Sequence, residues 1–368
     1  MKKLKKYNVR LIAANVFAIA LTFSSLSGKA QSAPQQSLLA LSKRDHVLAI
    51  VDPSTFKVIA RVPVGEDPHE VISSSDGKTA YVSIYGGGSL HTINVIDLVA
   101  QKPLPDIDTK PLLGPHGLAF VNAKLWFTVE GSKAIGSYDP STNKVDWVMG
   151  TGQDRTHMIY VANNSKKIYT TNVASGTVTI LHDTLMPPGN FGPPRNGLPN
   201  GNMRQPPPGG MPPGMQQHKN WMITIVPVSI GSEGFDVSPD STELWTASAE
   251  DGKIFIIDLT SKKLSATIEA NVNGANRLKF TPDGKLVFIT SLGSGGLTVY
   301  DAKSRKLLKQ INIGHGAAGI VMQPDGTRAY IACTPDNYVA VIDLKTLTVT
   351  NHIDVGGEPD GLAWAIQP

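Results

Sequence analysis

The chain has 368 residues, of which 41% are hydrophobic and 17% are charged, enough apolar sequence for one large domain or two ordinary ones. Glycine (35) and proline (26) are abundant, which argues against an all-helical protein and favours many short strands joined by turns. The net charge of +4 comes from the N-terminus, because six of the 34 Lys and Arg lie in residues 1–30 and the other 28 face 30 acidic residues. We therefore expect no nucleic-acid partner.

Residues 1–30 have the layout of a secretory signal peptide. A cationic start precedes an apolar run over residues 11–26, and the "GKA" at 28–30 offers small residues at the positions that signal peptidase reads. The alternative is a retained membrane anchor, although the run contains Asn15 and is shorter than the roughly 20 apolar residues that a span prefers. We predict cleavage, a periplasmic or secreted protein, and no stable membrane insertion afterwards.

Cys333 is the only cysteine of the chain. An intramolecular disulfide, a Cys-based zinc cluster and a covalently attached c-type haem, which needs a Cys pair followed by His, are therefore excluded. Cys333 lies in the apolar run "AYIACT", which predicts a small buried hydrophobic side chain.

Four segments share a pattern of two apolar strands around an Asp-containing turn. They are "PHEVISSSDGKTAYVS" from Pro68, "GFDVSPDSTELWTAS" from Gly234, "RLKFTPDGKLVFITS" from Arg277 and "GIVMQPDGTRAYIAC" from Gly319. In such turns Asp binds its own backbone and Gly adopts a positive φ. A third strand ends in Asp, as in "INVIDL", and a fourth precedes a Gly-rich corner, as in "NHIDVG". Four strands that repeat about every 42 residues predict a β-propeller blade.

The number of blades follows from aligning the position that lies seven residues before the turn Asp in each repeat. With the degenerate copies included, the equivalent residues are His69, His116, His157, Glu233, Asn276, Ala318 and Asp360. They lie 47, 41, 76, 43, 42 and 42 residues apart, so the long step marks an insertion and the seven positions predict seven blades rather than two sandwich domains.

The two ends of the chain supply complementary parts of one blade. The last repeat contains a single strand, "GLAWAIQP", whereas "SLLALSK", "HVLAIVD" and "KVIARVPVG" near the N-terminus supply three. We therefore predict an all-β fold, a seven-bladed β-propeller over residues 31–368 that is closed by pairing the mature N-terminal strands with the C-terminal strand. Because a closed ring leaves no edge to pair, we also expect a monomer.

The insertion falls between the third and fourth strands of the blade that begins at His157. Over residues 183–220 the sequence is rich in Pro, Gly and Met, and it has too few apolar residues to fold alone. We expect a disordered surface loop on the outer edge of that blade, away from the central channel.

The repeats "SSDGKTAYVS" with "INVIDL" and "QPDGTRAYIAC" with "VAVIDL" resemble the YVTN-type β-propeller repeat of secreted prokaryotic proteins, over nearly all of the mature chain. That resemblance implies the fold and leaves the role open. The blade "GPHGLAFVNAKLWFTVEGSKAIGSYDPSTNKV" (114–145) resembles instead the repeat of streptogramin (virginiamycin B) lyases, also seven-bladed propellers. In that family a channel His is the general base and a Glu after a "WFTE"-like strand binds magnesium, which implies catalytic roles for His116 and Glu130.

The seven equivalent positions also predict a ring around the mouth of the channel, because the innermost strand of each blade begins there. His69, His116 and His157 are neighbours in this ring, with Asp360 and Glu233 on either side. Imidazole and carboxylate suit zinc, copper, nickel, manganese or iron, so the three histidines are candidate metal ligands. The alternatives are structural histidines that bond blade carbonyls and channel water, or a pocket that needs no metal.

The sequence thus favours an exported scaffold that binds a protein, glycan or small ligand at the channel mouth, either with or without a divalent metal at the three histidines. Asp360, Glu233 and Asn276 are the candidate ligand-binding residues. The alternative is an enzyme, a metal-assisted lyase or lactone hydrolase, with His116 as the base and Glu130 or Glu233 as a metal ligand. A P-loop, a dinucleotide-binding Gly motif and a nucleophile elbow are all missing from the sequence.

Overall fold

The computed structural model describes residues 35–186 and 218–367, so the predicted signal peptide lies outside the described residues. Within them, 28 strands form seven four-stranded antiparallel sheets. Single turns of 3₁₀ helix follow three of these strands, at Gly86–Gly88, Glu130–Ser132 and Thr334–Asp336. The fold is therefore all-β in the part of the chain that the structure describes.

In chain order, the strands are β1 (Gln36–Ser42), β2 (Val47–Asp52), β3 (Lys57–Pro63), β4 (Pro68–Ser73), β5 (Thr79–Ile84), β6 (Thr92–Asp97), β7 (Lys102–Asp108), β8 (Pro115–Val121), β9 (Lys124–Val129), β10 (Ala134–Asp139), β11 (Lys144–Gly150), β12 (Thr156–Val161), β13 (Lys167–Asn172) and β14 (Thr177–Met186). They continue with β15 (His218–Pro227), β16 (Ser232–Val237), β17 (Glu243–Ser248), β18 (Ile254–Asp258), β19 (Lys263–Ile268), β20 (Ala275–Phe280), β21 (Leu286–Ser291), β22 (Gly296–Asp301), β23 (Leu307–Asn312), β24 (Ala317–Met322), β25 (Arg328–Cys333), β26 (Tyr338–Asp343), β27 (Thr348–Ile353) and β28 (Pro359–Ile366).

The seven sheets are the blades of a closed ring. Blades 1 to 6 are the consecutive groups of four strands from β4 to β27, and blade 7 has the order β28-β1-β2-β3. The innermost strands contact one another in the cyclic order β4, β8, β12, β16, β20, β24, β28 and back to β4. In blade 7, Leu38 of β1 pairs with Trp364 of β28 and Leu39 pairs with Ala363. The predicted seven-bladed propeller and its closure are confirmed.

The hydrophobic core lies in the seams between blades. Seven clusters of buried side chains among the described residues correspond to the seven seams. Inner strands such as β2 carry runs of buried apolar residues because neighbouring blades cover both of their faces, whereas the outermost strand β27 alternates between exposed and half-buried residues. Cys333 is fully buried, as its apolar surroundings predict.

The hairpin turns follow the predicted chemistry. The Asp76 side chain accepts a hydrogen bond from the backbone N–H of Lys78, and Gly77 between them has φ = 64°. In blade 4, where the sequence lacks this glycine, Ser241 adopts φ = 60° and Asp240 accepts the equivalent backbone hydrogen bond. The Asp side chain therefore maintains the turn even without Gly.

Both ends of the predicted insertion, residues 183–220, lie in the paired third and fourth strands of blade 3. Strand β14 continues to Met186 and β15 begins at His218, with Asp183 paired to Trp221. Residues 187–217 lie outside the described residues. Across residues 35–186 and 218–367 we find no helix with the length and hydrophobicity that crossing a membrane requires.

We predict that Leu38→Ala lowers the free energy of unfolding by about 2–5 kcal/mol, because it removes a fully buried side chain from the seam between blades 6 and 7. Chemical denaturation in urea measures the change. Leu307→Ala on the exposed face of β23 is the matched control and should change the free energy by less than about 0.5 kcal/mol. Equal effects of the two substitutions would contradict this account of the closure.

Candidate functional site at the channel mouth

A β-bulge occupies the same place in the innermost strand of all seven blades. In blade 1, Pro68 pairs with Ile84 and Val71 with Val82, so that His69 and Glu70 lie opposite one residue of β5. The same shift of register occurs in each of the other blades. A bulge bends its strand and changes the direction of a side chain. The first bulge residues of the seven blades line one cavity of about 340 Å³, and they are the predicted ring: His69, His116, His157, Glu233, Asn276, Ala318 and Asp360.

In three blades, a hydroxyl group of the second strand binds the bulge of the next blade. The Thr128 hydroxyl accepts a hydrogen bond from the N–H of Gly117 at 2.8 Å and donates one to the carbonyl of His157 at 2.6 Å. Thr171 donates to the carbonyl of Glu233 at 2.6 Å in the same way. The blades are so close here that a Cβ atom on Gly117 would lie 2.5 Å from the carbonyl oxygen of His157. These contacts fix the backbone of the ring between the blades that they join.

His116, Glu130 and His157 form a buried group of potential metal ligands. One ligand atom from each lies within 4.8 Å of the other two, and the two imidazole ring centroids are 3.9 Å apart. Glu130 begins the 3₁₀ turn after β9, and its Oε1 is hydrogen-bonded to Nδ1 of His157. Two imidazoles and one carboxylate are the protein ligands of many catalytic zinc sites and of non-haem iron sites with open positions.

A second layer of side chains orients the Glu130 carboxylate. The Tyr85 hydroxyl donates to Oε2 at 2.6 Å, and the Arg155 guanidinium lies 3.6 Å from the same oxygen. The Tyr85 ring also packs edge-on against His69 and His116, at centroid distances of 4.9 and 5.1 Å. Supporting contacts of this kind fix the direction and basicity of metal ligands in proteins.

Arg277 closes the inner end of the cavity. Its guanidinium lies 2.5 Å from Oε1 of Glu70 and 3.3 Å from Oε1 of Glu233, and the side chain is buried. Arg277 also lines a second cavity of about 300 Å³ further along the channel. The ion pair therefore lies between the channel mouth and the rest of the channel. Glu233 also approaches Nε2 of His157 to 2.7 Å, without the alignment of a hydrogen bond.

The two histidines of the buried group have opposite pKa shifts. Burial, with the neighbouring His157 as a second cause, holds the pKa of His116 well below its usual value. Burial alone would also lower the pKa of His157, but the carboxylates of Glu233 and Glu130 outweigh it and raise that pKa. The pKa of Glu233 is in turn lowered, because His157 and Arg277 outweigh the effect of its own burial. The group thus favours a neutral His116 beside a cationic His157.

His69 belongs to a different set of contacts from the other two histidines. Its Nε2 lies 2.8 Å from Nζ of Lys43 and 2.9 Å from Oδ1 of Asp67, while its Nδ1 lies 3.7 Å from Oδ2 of Asp360. The ring centroid is 5.0 Å from that of His116. The three candidate metal ligands therefore lie side by side, but only His116 and His157 share a group with Glu130.

The three candidate ligand-binding residues, Asp360, Glu233 and Asn276, line the same cavity. The Oδ1 atom of Asn276 is buried and has no hydrogen-bond partner in the described part of the chain. Burial raises the pKa of Asp360, although Lys43 and Arg277 act in the opposite direction. All seven ring positions thus lie around one cavity, as the repeat alignment predicts.

Sequence reasoning missed Lys43, Tyr85 and Arg277. Of these three, only Arg277 could have been identified by comparing the repeats. The residue after the ring position is glycine in four blades, where the backbone of the next blade approaches closely, whereas blades 1 and 5 carry Glu70 and Arg277 there. Two opposite charges at a position that is usually glycine indicate an ion pair across the channel.

Comparison with known proteins finds no family model that matches the chain. The chain is 27% identical over 150 residues to Antigen Lp49 of Leptospira interrogans, a match that covers 35% of this chain and 33% of the antigen. The alignment thus spans about a third of the length of that relative.

Two solved structures illustrate the similarity of fold. Hydrazine synthase of Kuenenia stuttgartiensis matches with a TM-score of 0.62 and 15% identity, over 81% of this chain and 89% of that chain. A proposed 6-phosphogluconolactonase from Bacteroides fragilis matches with a TM-score of 0.65 and 13% identity, over 89% and 97%. At these identities the likeness concerns the fold alone. The likeness to YVTN and streptogramin lyase repeats stays a resemblance of sequence pattern.

We predict that Arg277→Met lowers the free energy of unfolding by about 3–5 kcal/mol, because it leaves the buried carboxylate of Glu70 without its cation and removes one of the two cations beside Glu233. Urea denaturation measures the change, and Arg277→Met combined with Glu70→Gln should recover part of it. Lys285→Met is the matched control, since Lys285 and its partner Asp283 are both exposed and a surface ion pair contributes little to stability. A small effect in both single variants would exclude a structural role for the buried pair.

We predict that His116→Gln reduces the loss of stability on acidification. The pKa of His116 is lowered in the folded chain, so the unfolded chain binds the proton more tightly and stability falls as the pH drops below about 6.5. His157 acts in the opposite sense, since its raised pKa stabilises the folded chain below that pH, but it is present in both proteins. Urea midpoints at about pH 7 and about pH 5 should differ less in the variant than in the parent, whereas exposed His352→Gln should follow the parent.

Proposed function

We propose that this chain is an exported, monomeric β-propeller that binds a divalent transition metal at the channel mouth and presents it to a small polar ligand. His116, Glu130 and His157 are the proposed metal ligands. The observation that carries the proposal is their buried group, within 4.8 Å, beside a cavity of about 340 Å³ that both histidines line. Export rests on the signal-like residues 1–30 and on the resemblance of the repeats to those of secreted YVTN-type proteins.

The hydrogen bonding of the two histidines favours a metal over a purely structural role. A structural histidine would bond backbone carbonyls, but neither ring does so within the described residues, and Nδ1 of His116 is buried without a partner. Leaving a buried polar atom unsatisfied costs about 1–3 kcal/mol. A metal ion would accept this lone pair and replace the proton that His157 shares with Glu130.

The charge around the cavity also favours a bound cation. Six carboxylates and four basic side chains either line the cavity or pair with a residue that does, among the residues that the structure describes. The acidic ones are Asp67, Glu70, Glu130, Glu233, Glu358 and Asp360, and the basic ones are Lys43, Arg44, Arg155 and Arg277. Once a metal ion displaces the proton of His157, these groups carry more negative than positive charge, and one divalent ion neutralises the excess.

A second candidate function is enzymatic, a metal-assisted lyase or lactone hydrolase. The observation that favours it is the unpartnered Nδ1 of His116, because a histidine held neutral at the edge of a cavity is able to accept a proton from a ligand. In this case Glu130 and Glu233 hold the metal, in line with the resemblance of blade 2 to the streptogramin lyases. The two candidates therefore differ in the role of His116, as a metal ligand or as a base.

We predict that the protein purified without chelators contains about one equivalent of zinc, iron or another transition metal, measured by elemental analysis. Glu130→Gln and His157→Ala should lower the metal content and abolish any rise in melting temperature on adding Zn²⁺. His315→Ala is the matched control, an exposed histidine that does not line the cavity.

The response of His116→Ala separates the two candidates. Loss of the metal in this variant supports a ligand role, whereas a retained metal with loss of lyase or lactonase turnover supports a base. A parent protein that contains no metal and shows no change in melting temperature with Zn²⁺, Cu²⁺ or Ni²⁺ would overturn the proposal.

A further inference from the structure

The ammonium group of Lys43 lies in a cage of ligand atoms beside the proposed metal site. Its Nζ is 2.8 Å from Nε2 of His69, 3.2 Å from Oδ1 of Asp67 and 3.5 Å from Oδ2 of Asp360. One imidazole nitrogen and two carboxylate oxygens thus surround one positive charge. All these side chains are at least partly buried, and Lys43, His69 and Asp360 line the cavity at the channel mouth.

The atoms of this cage are those that a divalent metal would select. Imidazole nitrogen and carboxylate oxygen are common ligands of zinc, iron and manganese, and the neighbouring group of His116, Glu130 and His157 consists of the same atom types. The His69 ring lies 5.0 Å from that of His116, so the two sets are adjacent at the channel mouth.

The hydrogen bonds at His69 also indicate a site for a cation. Lys43 and Asp67 approach the same nitrogen, Nε2, at 2.8 and 2.9 Å. A single ring nitrogen cannot both donate a hydrogen to Asp67 and accept one from Lys43. An ammonium between the nitrogen lone pair and the two carboxylates is bound by charge, as a metal ion would be.

We propose that His69, Asp67 and Asp360 form a second cation site, which the ammonium of Lys43 fills as a permanent cation. The channel mouth therefore accepts one exchangeable metal beside one fixed positive charge. A ligand in the cavity meets that charge next to the metal, since Lys43 lines the same wall. The second site stands on its own contacts and rests on the proposed function only for the identity of the first metal.

The test is the number of metal ions bound after Lys43 is removed. Lys43→Ala, equilibrated with Zn²⁺ and freed of excess metal, should contain one equivalent more than the parent by elemental analysis. Lys43→Arg keeps the positive charge and should show no gain. Lys43→Ala combined with His69→Ala should lose the gain, because it removes the imidazole ligand. Titration with Co²⁺ should add a second set of visible absorption bands in Lys43→Ala alone.

The difference in metal content between Lys43→Ala and the parent tests the second site independently of the proposed function. If both are right, the parent binds one ion and Lys43→Ala binds two; if only the second site is right, the counts are zero and one. No gain in Lys43→Ala overturns the second site, whatever the parent binds.

If Lys43→Ala is unstable without metal, its melting temperature tests the second site instead. Added Zn²⁺ should raise the melting temperature of this variant more than that of the parent. Lys43→Gln, which keeps most of the stem, provides the second variant. Equal metal content and equal melting shifts in the parent and both uncharged variants would overturn the proposal.

Discussion

Close contacts between the bulges of neighbouring blades are the constraint on which the channel mouth depends. In three blades a hydroxyl donates to the carbonyl of the next blade's ring residue: Thr128 to His157, Thr171 to Glu233 and Thr290 to Ala318. The backbone of the ring is therefore set by neighbouring blades, and the ring side chains are free to vary. This division explains how one repeated strand carries His in three blades, a carboxylate in two, and Asn or Ala in the others.

The variable side chains are strongly asymmetric around the ring. His69, His116 and His157 lie together between Asp360 and Glu233, whereas the remaining two positions carry no charge. Buried ion pairs contribute little net stability, because the cost of removing charges from water offsets their attraction. The concentration of paired charges on one side of the mouth is the arrangement that the proposed metal site would need.

The sequence predicted the ring because the repeat itself carries the register, with the turn Asp a fixed distance from the bulge. Closure was also predictable, since three strands near one end complement one strand at the other. The side chains that pair with one another around the ring were not predictable from the sequence. Glu70 and Arg277 are 207 residues apart, and their pairing depends on the reach of two side chains across the channel. Lys43 is the last residue of the predicted strand "SLLALSK", but the repeat pattern did not indicate that its side chain contacts His69.

The position of Lys43 in the chain determines when its contacts at the channel mouth form during folding. Lys43 follows β1. The pairing of β1 with β28 joins segments that are very far apart in the sequence. Such contacts form late, because loop-closure entropy must be overcome before they add stability. Blades 1 to 6 consist of consecutive strands and need no such closure, so the group of His116, Glu130 and His157 belongs to the early, local part of the structure. The cage around Lys43 would then be assembled last, when β28 pairs with β1, and a metal would meet an incomplete mouth until that moment.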